Sequence, residues 1–242
     1  MVKVSVIIPA YNEENYIEEC FQRVIKVMKG YGKPFEVILE EDGSTDSTPQ
    51  IIDKLAKEYP FVKALHFPRK MGKGFGVRMC LMNASGEIIV LIDADAEYPP
   101  ERIPALLDKI GENDIVVGSR KIWKNRKAMK VRGIRALASR VYGILIKNLF
   151  GVNSLEDLQT GLKAFKREVI EKIQPLTSNG FEIDSEILIK AVRKGFKVGF
   201  IPITYTYKGN SKVNVLLDPL KMFFSMLRWK VNGELEFKER GG

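Results

Sequence analysis

The sequence predicts an α/β fold, a single domain built on one mostly parallel sheet with helices on both faces. Three observations carry this. Short Val/Ile-rich runs alternate with helical stretches through the first half of the chain, the order that builds parallel sheets. The runs are nearly continuous in apolar residues, as in strands buried on both faces. The polar, motif-like segments follow strand ends, where ligands bind on such sheets. At 242 residues, 45% of them hydrophobic, the chain has ample core for one such domain.

The elements follow in order. Val2 to Pro9 is a strand, and Asn12 to Lys29 a helix with Ile17, Phe21, Val24, Ile25 and Met28 on one stripe and Gly30 as its stop. Phe35 to Leu39 is a second strand, with a helix from about Ser47 to Glu58. Val62 to Phe67 is a third strand, followed by a helix over Gly72 to Ser85. Glu87 to Ile92 is a fourth, and Pro99 to Ile110 is helical, with prolines in its first turn where a missing N–H costs little. Asp114 to Gly118 is a fifth strand. Beyond residue 120 the pattern changes. Ile134 to Phe150 is a helix whose main stripe is Ile134, Leu137, Ala138, Val141, Leu145 and Leu149. Leu162 to Ile173 holds a strand-like piece and a helix, Asp184 to Lys194 is a helix, and Phe196 to Tyr205 a strand. A last helix begins at Asp218-Pro219, with the aspartate as N-cap, and its stripe is Leu220, Phe223, Phe224, Leu227 and Val231. Residues 1–120 form one half, 121–233 a second, and 234–242 a tail.

Composition removes several chemistries. One histidine (His66) and two cysteines (Cys20, Cys80) cannot assemble a Cys/His zinc site, and two cysteines give no disulfide framework, as expected of a reducing compartment. A Ser-His-Asp triad would need His66, which reads instead as a satisfied histidine at a strand end. A metal, if used, is held by carboxylates, which favours Mg2+ or Mn2+. Met1-Val2-Lys3 runs straight into a strand, and no apolar run approaches the ~18 residues of a span, so the expected protein is soluble or lies on a membrane surface.

The net charge of +9 is concentrated. Arg120, Lys121, Lys124, Arg126, Lys127, Lys130, Arg132, Arg135, Arg140 and Lys147 fall in one acid-free window, and the rest of the chain is close to neutral. Such a segment selects an anionic partner. Its aromatic residues are few (Trp123, Tyr142, Phe150), which argues against nucleic acid.

Asp93-Ala94-Asp95 follows an apolar strand, and two carboxylates at i and i+2 can approach one hard cation, with Glu97 able to complete the set. A turn with capping aspartates is the plainer alternative. In Glu41-Asp42-Gly43-Ser44-Thr45-Asp46-Ser47 much is structural, since Ser44, Asp46 or Ser47 can cap a helix. Asp42 is best placed to accept a hydrogen bond from a base N–H. Arg69 to Gly74 is basic and glycine-rich before a helix, suited to phosphate contact, yet is no P-loop.

Ser5 to Glu13, Glu41 to Asp46, Gly72-Lys73-Gly74, Asp93-Ala94-Asp95 and Gly118-Ser119-Arg120 together resemble glycosyltransferase family two, with its Rossmann-like GT-A fold. Leu158 to Phe165, Gly180 to Glu186 and Gly209 to Val213 resemble the polyprenyl-phosphate branch, the dolichyl-phosphate mannose and glucose synthases. The resemblance implies that Pro9, Tyr11 and Glu13 frame the nucleotide, that Asp42 holds the base edge and that Lys73 lies near base or ribose. It implies that Asp93 and Asp95, helped by Glu97, hold Mg2+ or Mn2+ on the diphosphate. Arg120 and Arg135 would face the acceptor phosphate, Lys212 would close over the phosphates, and Asp95, Arg120 and Arg135 form the catalytic set. The sequence departs from the pattern at Glu41 (usually Asp), at Glu97 (commonly glutamine in mannose synthases) and at the shortened Lys208–Lys212 loop, closer to glucose synthases. The donor is GDP-mannose or UDP-glucose.

The implied reaction is inverting transfer of a hexose to dolichyl or polyprenyl phosphate at the cytoplasmic membrane face. A phosphate monoester is mostly dianionic near neutral pH and needs no base, only positive charge to approach a diphosphate. The alternative is a family member acting on a soluble or polysaccharide hydroxyl, with Asp157 or Asp184 as base. The 1–120 half would then bind nucleotide sugar, and the 121–233 half the acceptor. The two apolar, cation-flanked helices at 134–150 and 220–231 suit a membrane interface. Contact with the membrane would be peripheral, with room for a membrane-anchored partner subunit.

Overall fold

The computed structural model describes residues 2–95, 97–120, 133–206 and 217–231, with backbone alone at 133–140, 217–221 and 231. Its strands are β1 (Val4–Ala10), β2 (Phe35–Glu41), β3 (Val62–His66), β4 (Ile88–Leu91), β5 (Ile115–Ser119), β6 (Lys163–Lys166) and β7 (Val198–Pro202). They form one seven-stranded sheet in the order β3-β2-β1-β4-β6-β5-β7. All neighbours are parallel except β6, which runs antiparallel between β4 and β5. Every residue of β1 is buried, as its nearly continuous apolar run, broken only by Ser5, leads one to expect.

The helices are α1 (Ile17–Tyr31), α2 (Thr48–Glu58), α3 (Lys73–Asn83), α4 (Ile103–Lys109), α5 (Gly133–Phe150), α6 (Arg167–Lys172), α7 (Ile183–Arg193) and α8 (Leu217–Val231). Strand alternation splits the core in two. Val6, Ile8, Val37 and Leu39 pack with residues of α1, α2 and α4 on one face. Ile7, Ile38, Leu91 and Phe165 pack with α3, α5, α7 and α8 on the other. Among the described residues no helix is long and apolar enough to cross a membrane.

Several expected bounds move. Residues 12–16 stay outside α1, because their backbone is committed to the neighbouring loop. The helix passes Gly30 and ends at Gly32, whose φ of 74° and N–H to Met28 O close it. Residues 99–110 divide into a 3-10 turn, Pro100–Arg102, and α4. The last strand is only Val198–Pro202, and α8 starts at Leu217, so Asp218 lies inside its first turn and is not the N-cap.

In α5 and α8 the expected stripes are only partly turned inward, with Leu149 and Phe223 packed against the core. Tyr142, Ile146 and Phe150 are buried, whereas Val141 and Leu145 of the predicted stripe are exposed, as is Ile144. In α8, Met222, Met226 and Trp229 are buried, while Phe224 is exposed. Both helices are apolar nearly all round, so periodicity alone does not say which side turns inward.

Glu40, near the end of β2, is 1% exposed and its carboxylate presses against Gly76 of α3. Neither oxygen has a hydrogen-bond partner of normal geometry among the described residues. Burial first, and then the charges of Asp42 and Glu41, push its carboxyl up to about 9. The folded form therefore holds a proton that the unfolded chain releases above about pH 4.5, and stability falls as pH rises from there toward 9. Glu40→Gln should melt at a higher temperature than the parent at pH 8.5, with the gap closing toward pH 5. Thermal unfolding across that range checks it, and a gap independent of pH would refute a protonated Glu40.

Candidate active site

The loop after β1 is stitched to the loop after β2. Asn12 takes a left-handed conformation (φ 54°), which lets its N–H reach Ser44 Oγ at 2.9 Å while its Oδ1 accepts from Thr45 N–H at 2.8 Å. Glu13 N–H donates to Thr48 Oγ1 at 2.8 Å, and Asp46 Oδ1 accepts from Thr48 N–H at 3.0 Å, capping α2. Pro9, in β1, and Tyr11 lie beside this seam, and Lys70 places its ammonium 3.7 Å from the centre of the Tyr11 ring.

Asp42, expected to meet a base edge, uses both oxygens on backbone. It accepts from Met71 N–H at 2.5 Å and Gly72 N–H at 2.9 Å, and so fixes the loop that opens α3. A second loop presses on that turn from the other side. Gly72 has φ 101°, and a Cβ there would lie 2.2 Å from Asn179 O, so only glycine fits. Gly74 N–H donates to Asn179 O at 2.9 Å. The 175–180 loop is held by buried Glu186, which accepts from Ser178 N–H at 2.9 Å and its hydroxyl at 2.6 Å and pairs with Lys190 at 2.7 Å.

The aim of both loops is Lys73. The resemblance implies a place near base or ribose; in the free protein its Nζ stands 2.8 Å from Asp93 Oδ1 and 2.9 Å from Asp184 Oδ2. The other oxygen of Asp184 meets Lys163, 2.5 Å away and 0% exposed, which also donates to Thr160 O. Burial alone would raise the Asp184 carboxyl, but Lys163 and Lys73 hold it below the ordinary carboxylate range. Burial lowers the Lys163 ammonium below its usual value. Asp93 packs so tightly on Gly161 that a Cβ there would lie 2.0 Å from its Oδ2.

On the other side of Asp93 negative charge accumulates. Asp95 Oδ1 accepts from Glu97 N–H at 3.0 Å, and Tyr205 donates to Glu97 Oε2. Burial, then Asp93, Glu97 and Glu13, push the Asp95 carboxyl up to about 8. Arg120 is paired in the free protein: its Nε and Nη2 each lie 2.8 Å from an oxygen of buried Asp157, and the guanidinium sits 5.5 Å from the Tyr205 ring. Expected to face an acceptor phosphate, it is engaged by an internal carboxylate. Arg135 is placed by backbone alone, in α5, while Lys212 and most of the basic segment lie outside the described residues.

These oxygens suit a divalent ion in kind, since Asp95 sits among carboxylates whose repulsion a hard cation would relieve. Among the described residues no three acidic, histidine or cysteine side chains already converge as a coordination shell. The reason is visible at Asp93, which faces Lys73. His66, at the end of β3, has Nδ1 3.6 Å from a Glu41 oxygen and Nε2 3.2 Å from an Asp53 oxygen. Lys163, Tyr205 and Glu186 were missed by sequence reading. A lysine opening a buried strand, in Leu162-Lys163-Ala164-Phe165, was the available signal for the first.

The sheet order, the ring of strand-end loops and the paired charges can be set against known proteins. A family model described as glycosyl transferase family 2 matches residues 5–174. The chain is 34% identical over 232 residues to glycosyltransferase AglD of Haloferax volcanii, covering 94% of this chain and 37% of that protein. It is 32% identical to a dolichol-phosphate mannosyltransferase of Pyrococcus furiosus, covering 97% of this chain and 66% of that one. It is also 32% identical to a dolichyl-phosphate beta-glucosyltransferase of Saccharomyces cerevisiae, covering 90% and 71%. The chain thus spans well under half of the first relative and about two thirds of the second. Glucosyl-3-phosphoglycerate synthase of Mycobacterium tuberculosis with UDP superposes with a TM-score of 0.70 at 21% identity, over 99% of this chain and 82% of that one. The mannosyltransferase PcManGT of Pyrobaculum calidifontis, with GDP-Man and Mn2+, gives 0.61 at 17%, over 98% and 76%. The fold is GT-A. With the family model running from β1 to just beyond α6, the chain belongs to glycosyl transferase family 2.

Proposed function

We propose that the chain transfers a hexose from GDP-mannose or UDP-glucose to a dolichyl or other polyprenyl phosphate, with inversion, at the cytoplasmic face of a membrane. The observation that carries this is the state of the two acids a hydroxyl acceptor would need. Asp157 is bound bidentately by Arg120, and Asp184 is shared by two lysines. Neither is a poised general base. A phosphate acceptor dispenses with one. The Pyrococcus and Saccharomyces relatives, named for dolichol- and dolichyl-phosphate, support the acceptor class.

In this reading Pro9, Tyr11, Glu13 and Asp42 frame the nucleotide, and Asp93, Asp95 and Glu97 hold Mg2+ or Mn2+. When bound, that ion supplies stabilisation of the departing diphosphate. Lys73 lies near base or ribose and Lys212 closes over the phosphates, while Arg120 and Arg135 receive the acceptor anion. Residues 1–120 serve the donor and 121–233 the acceptor. The exposed apolar residues of α5 and α8 support peripheral contact with lipid, where the acceptor's tail resides. A membrane-anchored partner subunit is compatible with this arrangement.

With Mn2+, a short polyprenyl phosphate should become hexosylated from one of the two donors, and a chelator should abolish the reaction. Asp95→Asn should lower turnover by at least about a hundredfold. Equal transfer to soluble sugar hydroxyls would sink the proposal. Ile144 and Phe224 are 53% and 63% exposed, so replacing both with glutamate should leave the melting temperature nearly unchanged. Binding to anionic liposomes, followed by sedimentation, should weaken by about tenfold; unchanged binding would remove these helices from the membrane contact.

A further inference from the structure

Lys73 is unusually placed for a residue that greets a nucleotide. Its side chain is only 12% exposed, and its ammonium lies 2.8 Å from Asp93 and 2.9 Å from Asp184, with hydrogen-bond geometry to Asp184 alone. Asp184 is backed by Lys163, so four charges alternate in a row: Asp93, Lys73, Asp184, Lys163. Asp93 is one of the three carboxylates of the cation site proposed above, and Gly161 crowds its other oxygen. An ammonium and a divalent ion on the same carboxylate would repel each other at close range with little water between them.

We infer that Lys73 is a built-in counter-ion of the acidic cluster: it occupies Asp93 in the free protein and yields it to the divalent ion when a nucleoside diphosphate arrives, with Asp184 and Lys163 as the berth that retains it. This rests on the reading that Asp93 and Asp95 hold the ion. A buried ammonium with no partner is costly, so a lysine with a single carboxylate would not readily let go. The second contact, to Asp184, lowers the cost of release. Lys163 keeps Asp184 charged and its Oδ2 turned toward Lys73. The negative diphosphate offsets the repulsion between the two cations, so ion and nucleotide should bind far better together than apart. Asp184 and Lys163 are positioning residues in this scheme.

The test is Mn2+ binding, read from the electron paramagnetic resonance signal of the free ion, with the full chain alone and with GDP or UDP. The parent should bind Mn2+ weakly alone and at least about tenfold more tightly with one of the nucleotides. Lys73→Met should bind Mn2+ alone about tenfold more tightly than the parent and lose most of the gain from nucleotide. Asp184→Asn, which leaves Lys73 leaning on Asp93, should shift the other way and weaken binding of Mn2+ alone. If both variants leave the affinity unchanged, or move it in one direction, the counter-ion role is wrong while the cation site stands. If Mn2+ fails to bind even with nucleotide, the cation site itself is wrong. Should Lys73→Met not fold, the sign of the Asp184→Asn shift decides.

Discussion

The interaction on which this site depends is the sharing of one ammonium, Lys73, between two carboxylates on opposite sides of it. The row from Asp93 to Lys163 joins the loop after β4, the start of α3, the start of β6 and the first turn of α7. Its charges cancel as a set, and burial of any one without its neighbours would be costly. Removing a member therefore exposes the others to an uncompensated charge. This ties the geometry of four distant segments into one arrangement. Such a row is better understood as a device for positioning than as a source of net stability, since desolvation consumes much of what the attractions return.

The row exists because of how the sheet is completed. β6 comes from the second half of the sequence, yet it runs antiparallel between β4 and β5. That insertion brings Gly161 against Asp93 and aims Lys163 at Asp184. The boundary near residue 120 can thus divide proposed roles, but it does not divide the sheet. α7 extends the same logic. Every residue from Ile183 to Ala191 is buried, including Asp184, Glu186 and Lys190. Polar groups in such a place are tolerated only when each has its partner. One face of α7 holds Lys73 through Asp184, and another holds the 175–180 loop through Glu186.

The parallel sheet, the strand ends and the gathering of the loops around them were legible because buried strands leave an unmistakable apolar run, as Val4 to Ile8 does. The acids at Asp93 and Asp95 were legible for a related reason, being carboxylates that follow such a run directly. What sequence did not disclose was partnership. Nothing local to Arg120 announces Asp157, and nothing local to Lys73 announces Asp184, 111 positions away. Asp42 reads as a free acceptor until the backbone of Met71 and Gly72 is brought to it. The inward faces of α5 and α8 were only partly legible for another reason: apolar residues on nearly every side left the phase undetermined.

The apolar residues left outside on these helices bear on how the proposed site could meet a lipid. The inward faces of α5 and α8 rest on one another and on the α7 region: Tyr142 donates to Ser185 Oγ at 3.2 Å and Ser225 to Glu182 Oε1 at 3.3 Å. Lys230 reaches Leu149 O at 2.9 Å and links the two helices near their C-terminal ends. The apolar residues left outside are therefore carried by helices anchored to the element that holds Asp184. The surface proposed to meet lipid and the Asp184 carboxylate that pairs with Lys73 thus share α7 as their support. Under the proposed function, packing among these described residues would set the distance from lipid to the proposed site, and so help place a tethered acceptor.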